Sequence, residues 1–322
     1  MNNSGNVPVR SQEDCFRILS IDGGGFRGVY ASHILARIEQ EYGLDLCDHF
    51  QMIAGTSTGS IIAAGLACGM RACDIVEFYE KHGAQIFPRQ LTPCFGLLRS
   101  RYRNKYLHSI LEDVLGDRTL GQITTPLILP ATDIGNGCVH VFKSAYDRGF
   151  VRDRGVLVRD AVLASCSAPT YFDPLQVDEY LLADGGLWAN SPSLVAVIDA
   201  KRRLGKGLDT LKVFSIGTGV SRSFYPQKQS WWHRLQGWGF AARWGHGKFI
   251  SMLLNLQSET ANNMTGLLLR PDQILRLNFD SDSALSLDDP ADLRDLKSRA
   301  DRDFSHKAEM IKTFLDLDSG EM

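Results

Sequence analysis

The sequence predicts an α/β fold with a mostly parallel central sheet and helices on both faces. Short apolar runs of strand length alternate with longer stretches of helical periodicity along most of the chain. That is the pattern of βα units, whose crossovers bring neighbouring strands into parallel register. Several of the strand-like runs also end in glycine-rich turns, where an α/β sheet builds its ligand site. The 322 residues are 44% hydrophobic with a net charge of -2, which suits one large core better than two small ones.

Strands are expected at residues 18–21, 51–54, 127–132, 139–143, 180–183, 212–216 and 274–278. Helices are expected at 29–42, 59–68, 72–82, 105–115, 158–166 and 193–204. The first strand runs into Asp22-Gly23-Gly24-Gly25-Phe26-Arg27-Gly28 ahead of a helix. Successive glycines at a helix start can turn their N–H groups to one side, where the helix dipole also favours negative charge. Gly23, Gly24 and Gly25 therefore read as an oxyanion hole, with Asp22 shaping the turn through backbone hydrogen bonds. Gly23, Gly25 and Gly28 also fit the dinucleotide-binding spacing, which calls for an acidic residue after the second strand. Here Asp45 sits in a polar, loop-like stretch and the second strand leads to a serine.

That serine is Ser57, in Gly55-Thr56-Ser57-Thr58-Gly59 between a strand and a helix. Such a segment reads as a nucleophile elbow, a turn so sharp that the serine hydroxyl is thrust outward. The fifth strand leads into Asp184-Gly185-Gly186, and Asp184 is the candidate base. In α/β-hydrolases a histidine follows the acid in chain order, which leaves His233, His246 and His306. None has a strand-end or glycine setting. The run 213–219 ends in a further glycine turn and reads as a core element bordering the cleft.

In their order these segments resemble the patatin-like phospholipases. The family's glycine loop matches Asp22 to Gly28, its nucleophile motif Gly55 to Gly59, and its aspartate motif Asp184 to Gly186; Ala168-Pro169-Thr170-Tyr171-Phe172 matches a further family stretch. The resemblance covers roughly residues 16–219. It implies a patatin-like three-layer sandwich and a lipid acyl hydrolase working through a Ser57–Asp184 dyad. Gly23, Gly24 and Gly25 would form the oxyanion hole, supported by Arg27, Gly28, Gly55, Gly59, Gly185 and Gly186. In that frame Arg27 orders the glycine loop or attracts an anionic head group. The Ile86-Phe87-Pro88 segment and an extension after Ser215-Ile216-Gly217-Thr218-Gly219 are similar to the cyclic-dinucleotide-activated phospholipase effectors of CBASS antiphage systems. That similarity implies a phospholipid substrate met peripherally at the inner membrane, a cyclic dinucleotide activator, no cofactor and a homo-oligomer. Two other readings stay open: a constitutive acyl hydrolase, and a nucleotide-binding module whose serine loop is structural.

The organisation expected from these pieces is a flexible start at 1–14, a catalytic core at 15–219, an extension at 220–315 packed on the same domain, and a tail at 316–322. Within the extension, Trp231, Leu235, Trp238 and Ala242 form an apolar stripe at helical spacing, suited to core, membrane or subunit contact. Residues 249–269 read as a helix with a polar side at Ser258, Asn262 and Asn263, and 290–315 as an amphipathic helix opened by Pro290. Seven cysteines, odd in number and without metal spacing, read as reduced thiols of a cytoplasmic protein with no metal site. The near-neutral charge argues against DNA or RNA as a partner. The polar start and the short apolar helix at 60–70 offer neither a signal peptide nor a bilayer span.

Overall fold

A computed structural model describes residues 15–88, 99–221, 248–281 and 286–317. The strands are β1 (Phe16–Ile21), β2 (Met52–Gly55), β3 (Leu127–Asp133), β4 (Cys138–Lys143), β5 (Leu175–Val177), β6 (Tyr180–Asp184), β7 (Leu211–Ile216), β8 (Val220–Ser221), β9 (Ile274–Leu277) and β10 (Asp280–Ser281). The helices are α1 (Gly28–Tyr42), α2 (Leu46–His49), α3 (Thr58–Ala67), α4 (Ala72–Ile86), α5 (Asn104–Leu115), α6 (Val158–Cys166), α7 (Gly186–Ala189), α8 (Ser193–Arg203), α9 (Lys248–Leu268) and α10 (Leu293–Phe314). The tryptophan stripe and His233 and His246 lie outside the described residues, as does Cys94.

The central sheet has the order β5-β6-β3-β2-β1-β7-β9, with β4 also paired to β3. From β3 through β2, β1 and β7 to β9 every pair is parallel. The other side is antiparallel: β4 and β6 both run against β3, and β5 runs against β6. Along β1 and its neighbours, alternate side chains face opposite ways, as a strand's period of two requires. Leu19, Ile21, Ile53, Leu129 and Phe214 join one core with α1, α3, α5, α6 and α10. Phe16, Ile18, Met52, Ala54 and Val213 join a second, under α8. Helices thus cover both faces, as the sequence predicts.

Two features of the C-terminal region matter for the site. Strand β9 adds to the sheet edge beside β7, and α9 packs on α7 and α8. The polar side expected on α9 faces inward: Ser258 accepts from Asn190 Nδ2 at 2.8 Å, and Asn262 and Thr265 meet Ser191 and Ser193. Asn263 is exposed. The amphipathic α10 packs against α1 through Phe304 and Ile311, which are buried in the larger core.

Candidate active site

Ser57 stands between β2 and α3 with φ 54° and ψ -125°, a left-handed backbone that a non-glycine residue adopts only when its surroundings hold it there. The surroundings are explicit. A Cβ on Gly55 would run into the Gly59 carbonyl oxygen, and one on Gly59 into that of Ile21, so the turn closes only with glycine at both places. The Ser57 N–H donates to Ser165 Oγ at 3.0 Å, and Ser165 Oγ donates on to the Pro130 carbonyl at 2.6 Å. The Ser57 carbonyl accepts from the N–H and hydroxyl of Ser60.

Asp184 arrives from the opposite direction. Strand β2 pairs with the first residues of β3, Ile53 beside Leu127 and Ala54 beside Ile128. Antiparallel β6 pairs with its last ones, Leu182 beside Asp133 and Asp184 beside Ala131. The two strands therefore approach each other end to end along β3, and Ser57 and Asp184 lie where they meet. Both residues stand at strand ends, as the sequence suggests, and the site is a junction between the parallel and antiparallel halves of the sheet.

The Asp184 carboxyl is buried, its Oδ1 accepts the Gly186 N–H at 2.6 Å, and the Ser57 side chain beside it also favours the charged form. Burial raises its pKa to about 6, against the pull of those two groups. A carboxylate with that value can take a proton from a hydroxyl near neutrality and return it, the requirement of a general base. Among the described residues no histidine lines the cavity beside Ser57, and His306 is exposed on α10.

The glycine loop divides its roles. The Gly23 N–H is taken by the Asn190 carbonyl at 2.9 Å, so Gly23 offers no free donor. It gives room instead, since a Cβ there would stand 3.1 Å from Ser57 Cβ. Gly24 and Gly25 line the cavity with Ser57 and Asp184, and among the described residues no acceptor pairs with their N–H groups. Arg27 is buried, which lowers its guanidinium pKa to about 10 despite the nearby Tyr171. It donates Nε–H to the Gly24 carbonyl at 3.1 Å and Nη1–H to that of Gly219 at 3.3 Å, contacts that order the loop. Asp22 does not cap its own turn with backbone bonds. It pairs with Arg276 of β9 at 2.6 Å and accepts from Ser258 Oγ at 3.2 Å. At the start of α1 the Phe26 N–H goes to the Leu287 carbonyl and the Arg27 N–H to that of Gly24. Those two donors are therefore not available to a pyrophosphate. Gly28 faces Thr58 and Tyr79, and Gly185 faces Pro130.

Beyond the polar end the cavity is lined by Ile61, Tyr79, Phe87, Leu107, Leu254 and Leu287. Its wall is almost wholly apolar, a surface suited to a hydrocarbon chain. Ser165, Asn190, Thr218 and Arg276 were not singled out from the sequence. Asn190 follows the Asp184 motif by a few residues and Thr218 sits in a glycine turn, which were the only local signals.

Fold and site define a serine hydrolase on an α/β sheet: a strained serine, a buried carboxylate with a raised pKa, and two backbone donors without acceptors among the described residues, beside an apolar cavity. A family model described as patatin-like phospholipase matches residues 19–197. A cGAMP-activated phospholipase of Pseudomonas aeruginosa is 32% identical over 63% of this chain and 62% of its own length. Patatin-like protein 1 of Arabidopsis thaliana is 32% identical over 77% and 68%, and a cUMP-AMP-activated phospholipase of Escherichia coli 28% identical over 81% and 80%. This chain belongs to the patatin-like phospholipase family and is a carboxylic ester hydrolase of that kind.

Proposed function

We propose that this protein hydrolyses the acyl ester of membrane phospholipids through a Ser57–Asp184 dyad. The observation that carries the reading is the end-to-end meeting of β2 and β6, which sets both residues at the mouth of the apolar cavity. Ser57 Oγ attacks the ester carbonyl and forms a new C–O bond while its proton passes to Asp184. The oxyanion so formed is met by the N–H groups of Gly24 and Gly25. On collapse the ester C–O bond breaks, and the departing lysophospholipid alkoxide takes the proton from Asp184. Water then attacks the acyl-serine, gives a proton to Asp184, and the fatty acid leaves as Ser57 recovers that proton. Donors placed for the oxyanion are worth roughly a hundred- to a thousandfold in rate each.

Control by a cyclic dinucleotide extends the proposal, supported by the names of two bacterial relatives. Activity would then be held low in the cytoplasm until the nucleotide favours an active, oligomeric arrangement that works peripherally on the inner membrane as an antiphage response. Among the described residues no helix is long and apolar enough to cross a membrane, which fits a peripheral encounter. Fluorogenic phospholipid hydrolysis by wild type and Ser57→Ala, with and without cyclic di- and trinucleotides, separates the readings. Turnover abolished by Ser57→Ala supports the dyad, and turnover retained overturns it. Full activity without any nucleotide leaves the constitutive hydrolase.

A further inference from the structure

We infer that Thr218 is a positioning residue that aims the oxyanion donors, an inference that rests on the proposed ester hydrolysis at Ser57. In a trans peptide the carbonyl of one residue and the N–H of the next point in opposite directions, and no described peptide bond is cis. Fixing a carbonyl therefore fixes the donor behind it. The Gly23 carbonyl accepts the Thr218 hydroxyl at 2.6 Å and, more weakly, Asn190 Nδ2 at 3.4 Å. The N–H on the far side of that peptide is the one Gly24 presents at the cavity wall. The Gly24 carbonyl accepts Arg27 Nε–H, which in turn fixes the peptide that carries the Gly25 N–H. Two consecutive peptide planes are held from behind, and the front of each is left without an acceptor among the described residues.

Thr218 can do this because it is itself immobilised. It is buried, and the glycines on either side are tied to the extension, Gly217 N–H to the Leu277 carbonyl and Gly219 N–H to Asn278 Oδ1, both at 2.8 Å. Its side chain also lies against the Cα of Gly24, where a Cβ would collide with it. The aim of the oxyanion hole is thus set from β9 through the turn after β7, outside the three motifs that mark the active site.

Thr218→Val keeps the shape of the side chain and removes the hydroxyl. Since an ångström of misplacement at a reacting centre can cost about a hundredfold, kcat on a p-nitrophenyl ester should fall roughly ten- to a hundredfold, with KM within about twofold. Thr218→Ser should restore most of kcat, because the donor to Gly23 returns. If the valine variant does not fold, Thr218→Ala asks nothing extra of the packing and is read the same way. Wild-type kcat in the variant lacking the hydroxyl, a change confined to KM, or no recovery with serine overturns the inference. Wild type that shows no Ser57-dependent turnover overturns instead the hydrolase reading on which it rests.

Discussion

Ser165 Oγ accepts the Ser57 N–H at 3.0 Å, holding by a side chain from α6 the one elbow residue whose φ of 54° is left-handed. Because Ser165 is itself fastened to the Pro130 carbonyl of β3, the serine's backbone is referenced to the strand along which Asp184 also lies.

Ser165→Ala leaves the Ser57 N–H without its acceptor, at a cost of about 1–3 kcal/mol. Relaxation of the elbow should move Oγ off its line to Asp184. Turnover is expected to drop roughly tenfold or more, with a lower melting temperature and little change in KM. Equal turnover in the variant, at any stability, would show that the elbow holds its geometry without α6.

Asp184 makes the active site a source of instability above pH 6. Its folded pKa of about 6 exceeds the unfolded carboxyl value of about 3.9. Between those values the native state holds a proton that the unfolded chain has lost, so stability falls as pH rises through that window and the loss is complete above it. The cost at pH 7 is on the order of 3 kcal/mol. Asp184→Asn removes the charge and keeps an acceptor for the Gly186 N–H. Denaturant unfolding should show it more stable than wild type by about 1–3 kcal/mol at pH 7, the gain fading near pH 4, with hydrolysis lost. A gain of equal size at both pH values would mean that the carboxylate is not the source. The wild-type rate should rise through an apparent pKa near 6.

The proposed pair of Ser57 and Asp184 is legible in the sequence because its signals are local. The glycines at 55 and 59 are demanded by contacts within the elbow and its neighbouring strand, so the motif carries its own reason. What could not be read locally are partners that meet across the chain: Arg276 and Asp22 lie 254 residues apart, and Thr218 reaches back to Gly23. The antiparallel half was within reach. Asp178 and Glu179 form a two-residue connection, with Val177 paired to Tyr180, and Gly135-Asn136-Gly137 links β3 to β4. Short connections of this kind join antiparallel strands. Reading them so predicts an antiparallel part of the sheet, though not the pairing of β6 with β3 that sets Asp184 end to end with Ser57. The triple glycine misled in one respect, since spacing does not tell which of three N–H groups a neighbour has already taken.

The ion pair between Asp22 and Arg276 joins the glycine loop to β9 with one member buried and the other about one-fifth exposed. Removing the arginine strands a carboxylate whose remaining side-chain partner among the described residues is Ser258. Breaking a buried pair in this way costs several kcal/mol, whereas replacing both charges is often close to neutral. Arg276→Met should therefore destabilise the protein by about 2–4 kcal/mol and depress turnover, because Asp22 leads directly into Gly23 and Gly24. Asp22→Asn combined with Arg276→Met should recover at least half of the lost stability. Urea unfolding of the two single variants and the double variant gives the coupling energy. A double variant as unstable as the sum of the singles would show that the two side chains are not energetically coupled.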